Sequence, residues 1–152
     1  MHRLLSGELS PSRSAIHRSW ERRSGAERAR HRGGMAAKDA LGRRGEDLAA
    51  AYLTEHGLVV LDRNWRCRLG ELDIVCTDST RLVVCEVKTR SSTRFGLPAE
   101  AVDARKAHRI RQLTGAWLAA HHVPWVEVRY DVVAVLVEPG AQVRVHHYEA
   151  AF

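Results

Sequence analysis

The chain has 152 residues, of which 28% are charged, and a formal net charge of +6. That is enough chain for one domain with a real core, and the composition is that of a soluble globular protein. Three cysteines without a CxxC spacing argue against a disulfide framework or a structural zinc site. There is no apolar run of about 18 residues and no apolar segment of signal-peptide length near the N-terminus, so neither membrane spanning nor secretion is indicated and a cytoplasmic location is expected.

The charge is unevenly spread. Residues 1–34 hold eight Arg against three Glu, a net of +5, whereas residues 35–152 carry a net of +1. An Arg-, Ser-, Gly- and His-rich tail buries too little surface to offset its ordering entropy, so residues 1–34 are expected to be disordered. Met35 opens MAAKDALGRRGEDLAAAYL, a clean start to a helical domain. The preceding segment is therefore read as a start-site artefact in preference to a nucleic-acid-binding arm, and residues 35–152 as a single domain.

Ala36 to His56 has helical periodicity through Leu41, Leu48, Tyr52 and Leu53, with Gly57 as its C′ residue. Gly42 and Gly45 each cost this helix about 1 kcal/mol, so close approach of another element or of a ligand is expected there. Glu46 lies in that thinned stretch. Three short strands are expected at Leu58–Trp65, Glu71–Thr77 and Arg81–Thr89, forming a meander. The polar loop Ser91–Pro98 follows, then a helix from about Ala99 to His121. Its buried side carries Val102, Ile110, Leu113, Trp117 and Leu118, and its basic flank carries Arg105, Lys106, Arg109 and Arg111. Such a flank is usually a solvated face, with phosphate contact as a second reading. Trp125–Val137 and Gln142–Tyr148 are the last strands. The order α, β, β, β, α, β, β predicts an α/β fold, a central mixed sheet with helices packed on it.

The most informative segment is GELDIVCTDSTRLVVCEVK, Gly70 to Lys88. If Ser79-Thr80 closes a tight hairpin, Asp73 lies opposite Glu86 and Glu71 opposite Lys88, all on one face. Directly opposed carboxylates repel and are costly to desolvate unless a cation or proton lies between them. A divalent ion would resolve this. A Glu71–Lys88 ion pair, or a protonated Asp73 or Glu86, would resolve it equally well, and a three-residue turn would send Asp73 and Glu86 to opposite faces. Cys76 and Cys85 fall on the other face as small core residues. The pairs His121-His122 and His146-His147 lack metal-binding spacing and are expected at the surface or in loops.

Asp73, then Glu86-Val87-Lys88, with a helical Glu46 upstream, resembles the PD-(D/E)xK nuclease superfamily, whose core is αβββαβ and whose fold is restriction-endonuclease-like. Gly42-x-x-Gly45-Glu46, Asn64-x-Arg66, Gly70-Glu71-Leu72-Asp73-Ile74-Val75, Glu86-Val87-Lys88-x-Arg90, Gly96-x-Pro98, Lys106 and Arg129-x-Asp131-Val132-Val133 together resemble the YraN family. That is an uncharacterised bacterial group similar to Holliday-junction resolvases. The resemblance implies a nuclease dependent on Mg²⁺ or Mn²⁺ that hydrolyses phosphodiester bonds in DNA, including branched or junction DNA, with dimerisation by analogy with resolvases. It implies Asp73, Glu86, the Val87 carbonyl and Glu46 as metal ligands, with Lys88 assisting the attacking water or the developing charge. It also implies Arg66, Arg90 and Lys106 as phosphate contacts. Asp131 is better read as an ion-pair partner of Arg129 than as catalytic. The second class of function is a nucleic-acid-binding or assembly module that keeps the fold without cleavage. Asp73, Glu86 and Lys88 together favour the enzyme. The near-neutral charge of residues 35–152 is a caution for DNA binding in either class, since a DNA-binding domain often carries a strongly basic face and a net of +1 means that acids elsewhere balance it.

Overall fold

The computed structural model describes residues 37–92 and 102–152. The Arg-rich extension, the Gly96-x-Pro98 motif and the expected helix start at Ala99 lie outside the described residues. The described elements are α1 (Ala37–Glu55), β1 (Val59–Cys67), β2 (Gly70–Thr77), β3 (Leu82–Arg90), α2 (Ala104–Ala120), β4 (Val128–Leu136) and β5 (Arg144–Tyr148). This is the expected order and contains the αβββαβ core. None of these helices is long and apolar enough to cross a membrane.

Both helices end in the same way. Gly57, at φ +86°, donates to the Thr54 carbonyl while Leu58 donates to Leu53, and His122, at φ +52°, donates to Ala119 while Val123 donates to Leu118. These are Schellman closures, which satisfy the last carbonyls through one left-handed residue. The start of α2 differs from the expectation. Asp103 is its N-cap, its side chain accepting from the Lys106 N–H at 2.7 Å, so the helix begins at Ala104 and Val102 and Asp103 precede it.

The sheet runs β1-β2-β3-β4-β5 and is mixed: β1–β2, β2–β3 and β4–β5 are antiparallel, and β3–β4, joined through α2, is parallel. A parallel pair needs such a crossover, whereas the meander needs only tight turns. Ala49, Ala50 and Leu53 of α1 pack with Ile74, Cys76, Val83, Cys85, Val133 and Val135 on one side. Ile110, Leu113 and Trp117 of α2 pack with Leu61, Leu72, Val75, Leu82 and Val84 on the other. The core is therefore two apolar layers, one on each face of the sheet.

Gly45 is what lets α1 lie on β3. A Cβ built there would fall inside the Thr89 side chain, whereas at Gly42 it would meet nothing within 4 Å. Only Gly45 thus meets the close approach expected at both glycines. Gly42→Ala should gain up to about 1 kcal/mol of helix propensity. Gly45→Ala should lose roughly 1–3 kcal/mol through overpacking. Urea unfolding of the two variants checks this, and equal midpoints would contradict it.

Candidate metal centre

The β2–β3 register is the one expected: Thr77 lies opposite Leu82, Cys76 opposite Val83, Val75 opposite Val84 and Ile74 opposite Cys85. The turn that sets it is built by a side chain. Asp78 Oδ1 accepts from the Thr80 and Arg81 backbone N–H groups and the Thr80 hydroxyl, and Oδ2 from the Arg81 guanidinium at 3.0 Å. These donors hold the Asp78 carboxyl far below the usual carboxylate range, outweighing its partial burial.

The paired ladder ends at Ile74–Cys85, and there Asp73 Oδ2 accepts the Val87 backbone N–H at 2.8 Å. Strand alternation also breaks at this point. Arg63 pairs with Ile74 and Trp65 with Leu72, yet Ile74 packs on the α1 side and Leu72 and Trp65 on the α2 side. Both strands therefore change face between these pairs, at Asn64 and Asp73. Asn64 absorbs the change in a left-handed conformation, φ +51°, one that Asn tolerates better than most residues.

That change places Asp73 between carboxylates from both sides of the sheet. Alternation along β3 puts Glu86 and Lys88 with Leu82 and Val84 on the α2 side. Glu46 comes from α1, and its Oε2 accepts from Asn64 Nδ2 at 2.6 Å. Burial pushes the Asp73 carboxyl up to about 7, with Glu86 and then Glu46 adding to the rise and the Val87 N–H and Lys106 opposing it. Glu86, with its side chain 11% exposed, is held by two ammonium groups at one oxygen: Lys88 Nζ lies 2.9 Å from Oε1, and Lys106 Nζ contacts the same atom. Burial and the neighbouring Lys106 ammonium lower the Lys88 value, against the pull of Glu86. Burial also works against Lys106, but its contact with Glu86 outweighs that and raises its value.

Glu46, Val87, Lys88 and Arg90 line a cleft of about 450 Å³ at the end of β3, together with Leu41, Gly42 and Thr89. Arg66 lies on β1, 64% exposed, with its guanidinium 2.9 Å from Glu71. The Glu71–Lys88 ion pair considered from the sequence does not form. Glu71 is directly opposite Arg66 in the β1–β2 ladder, and Lys88 turns to Glu86. Sequence reasoning gave Asn64 no role beyond its place in a motif. The available signal was an Asn inside a strand, where β-propensity disfavours it.

The side chains here present carboxylate oxygens, a hard-oxygen set of the kind that suits Mg²⁺ or Mn²⁺, and Glu46, Asp73 and Glu86 do not bring one oxygen each to within 4.8 Å of one another. Asp73, Glu86, the Val87 carbonyl and Glu46 are the residues that could hold such an ion.

A second polar cluster lies on the α1 side. Asp131, fully buried, accepts from the Arg129 guanidinium at 2.8 and 2.9 Å, from His147 at 2.8 Å and from the Ala150 N–H at 3.0 Å. His147, with its side chain 9% exposed, is thus not a surface residue as expected, because the fold brings β5 across β4 and gives it a buried acceptor. Cys85, Asp131 and His147 offer ligand atoms within 4.8 Å of one another. The Asp131 oxygens are already taken by these donors, which lower its carboxyl value despite the burial that opposes them. Cys76 and Cys85 are buried, as expected, and burial together with Cys76 keeps the Cys85 thiol protonated.

The chain matches the model of the uncharacterised protein family UPF0102 over residues 45–135. It belongs to that family, the YraN group of the sequence resemblance. A UPF0102 protein of Frankia alni is 59% identical over 119 residues, covering 78% of this chain and 98% of the relative. Another, from Nocardia farcinica, is 48% identical over 115 residues, covering 76% and 91%. Among solved structures, Hjc of Archaeoglobus fulgidus, a Holliday junction resolvase, aligns with a TM-score of 0.40 and 18% identity over 69% of this chain and 75% of that one.

Half-buried Asp73 and fully buried Asp131 of this UPF0102 chain each give a prediction. Asp73 has a folded-state value of about 7 against 3.8 for an unperturbed carboxyl. Between those values the folded protein binds more protons than the unfolded chain, so stability falls as pH rises through them. The unfolding free energy of the metal-free protein, measured by urea titration, should drop between about pH 5 and 8 by on the order of 2 kcal/mol relative to Asp73→Asn; parallel profiles would contradict this. Asp131→Ala strands the Arg129 and His147 donors and should cost about 3–5 kcal/mol of unfolding free energy.

Proposed function

We propose that this protein is a metal-dependent endonuclease that hydrolyses phosphodiester bonds in DNA, branched or junction DNA included. The observation carrying this reading is the convergence of Asp73 and Glu86 at the parting of β2 and β3, with Lys88 against Glu86. The bland accounts of two opposed carboxylates leave it incomplete. The lysines contact Glu86, whereas Asp73 accepts one backbone N–H, and around it Glu86 and Glu46 outweigh the Lys106 ammonium.

Asp73, Glu86, the Val87 carbonyl and Glu46 would hold Mg²⁺ or Mn²⁺, which supplies charge neutralisation on the phosphoryl oxygens and a water made nucleophilic near neutral pH. Lys88, anchored beside Glu86 with a lowered value, is suited to orient the attacking water by hydrogen bonding or to face the negative charge that builds on phosphorus. Asn64 fixes the Glu46 carboxylate by a 2.6 Å hydrogen bond, so Glu46 stays directed at the site from α1. Arg90 at the cleft and the exposed Arg66 would meet flanking phosphates. The resemblance to resolvases alone motivates a homodimer as the working assembly, and the cytoplasm is its location by default.

The full chain incubated with labelled duplex, flap and four-way-junction DNA, in Mg²⁺, in Mn²⁺ and in chelator, tests this reading. Metal-dependent products should appear and should fall by roughly a hundredfold or more in Asp73→Ala and Lys88→Ala. DNA binding that persists with no product in either metal would instead favour a binding module with the nuclease fold.

A further inference from the structure

Lys106 does more than flank the site. Its ammonium sits on Glu86 Oε1, the oxygen that Lys88 also holds. The helix start directs it there: Asp103 caps α2 and accepts the Lys106 backbone N–H, fixing the first turn over the end of β3.

When ionised, Asp73, Glu86 and Glu46 bring three negative charges, and Lys88 and Lys106 bring two positive ones, so the five groups sum to −1 without any ion. A divalent cation added to all five would leave an uncompensated +1 in a half-buried setting, where like charges repel strongly. One ammonium has to withdraw. Lys88 is carried on β3 two residues from Glu86, with its side chain 21% exposed, whereas Lys106 reaches in from α2 on a flexible stem and is 35% exposed.

We propose that Lys106 is the resident counter-cation of Glu86: it holds the carboxylate in the metal-free protein, is displaced by the arriving divalent ion, and then turns to a phosphate of the bound nucleic acid. This rests on the metal centre assigned under Proposed function. It also makes the phosphate contact expected from the sequence and the Glu86 contact found in the structure two states of one side chain. Glu46 on the opposite side and Asp73 between them receive the ion's remaining charge.

Calorimetric Mn²⁺ titration of the full chain at low salt separates the possibilities. Lys106→Met should bind Mn²⁺ about tenfold more tightly than wild type and melt at a lower temperature in chelator, while Lys106→Arg keeps wild-type behaviour. Lys106→Gln provides the same comparison should the methionine variant not fold. With a non-cleavable four-way junction in Mn²⁺, the slope of log affinity against log salt should shrink by about one on Lys106→Met, with no change in chelator. Equal or weaker Mn²⁺ affinity in the variants would overturn the counter-cation role while leaving the metal centre standing. Absence of Mn²⁺ uptake by wild type and variants alike would overturn the metal centre and this inference with it.

Discussion

A backbone N–H given to a side chain organises this molecule. Beyond Ile74–Cys85 the β2–β3 ladder could continue, but the Val87 N–H goes to the Asp73 carboxylate. A carboxylate can accept that bond without the two strands staying in register, so β2 and β3 are free to part. The cleft at the end of β3 opens there. The unusual conformation of Asn64 belongs to the same event, since β1 must change face where β2 does. Local strain of this sort, roughly 1–3 kcal/mol, persists when surrounding structure holds it. Here the holding contacts include the Asn64 bond to Glu46.

Burial raises the carboxyl value of both Asp73 and Asp131, and the partners decide whether that rise stands. Asp131 is the more buried by surface area, yet its value is lowered, because a guanidinium, an imidazole and an amide N–H meet its two oxygens. Asp73 has one amide donor, with Glu86 and Glu46 nearby, and its value is raised. The first is a finished structural tie between β4, β5 and the C-terminal residues. The second is unfinished, and only a proton or a cation completes it. Titratable groups pushed apart in this way are a mark of functional sites.

Much of the architecture was legible because it follows from short-range rules. Periodicity located both helices and the strands to within a few residues, and the register of β2 on β3 followed from taking Ser79-Thr80 as the tight turn. The loop mechanism behind that register was not legible: Asp78 closes the turn with its side chain, and no pattern of apolar residues encodes that. Gly57 was readable as a C′ residue, whereas His122 in the equivalent place was not, since a left-handed His carries no compositional mark. The cap at Asp103 was overlooked for the opposite reason, its neighbours on both sides being compatible with helix.

By itself the sequence determined the order of elements and the family, and, granted a tight Ser79-Thr80 turn, the pairing frame that brings Asp73 toward Glu86, since these depend on residues near one another along the chain or on motifs in order. The tertiary structure decided which groups share the pocket. Lys106 reaches Glu86 from the helix that crosses between β3 and β4, Glu46 reaches Asn64 from α1, and His147 reaches Asp131 from β5. Contacts between distant segments depend on packing angles and on a face change at a single residue pair. A linear pattern of apolar and polar residues does not specify either.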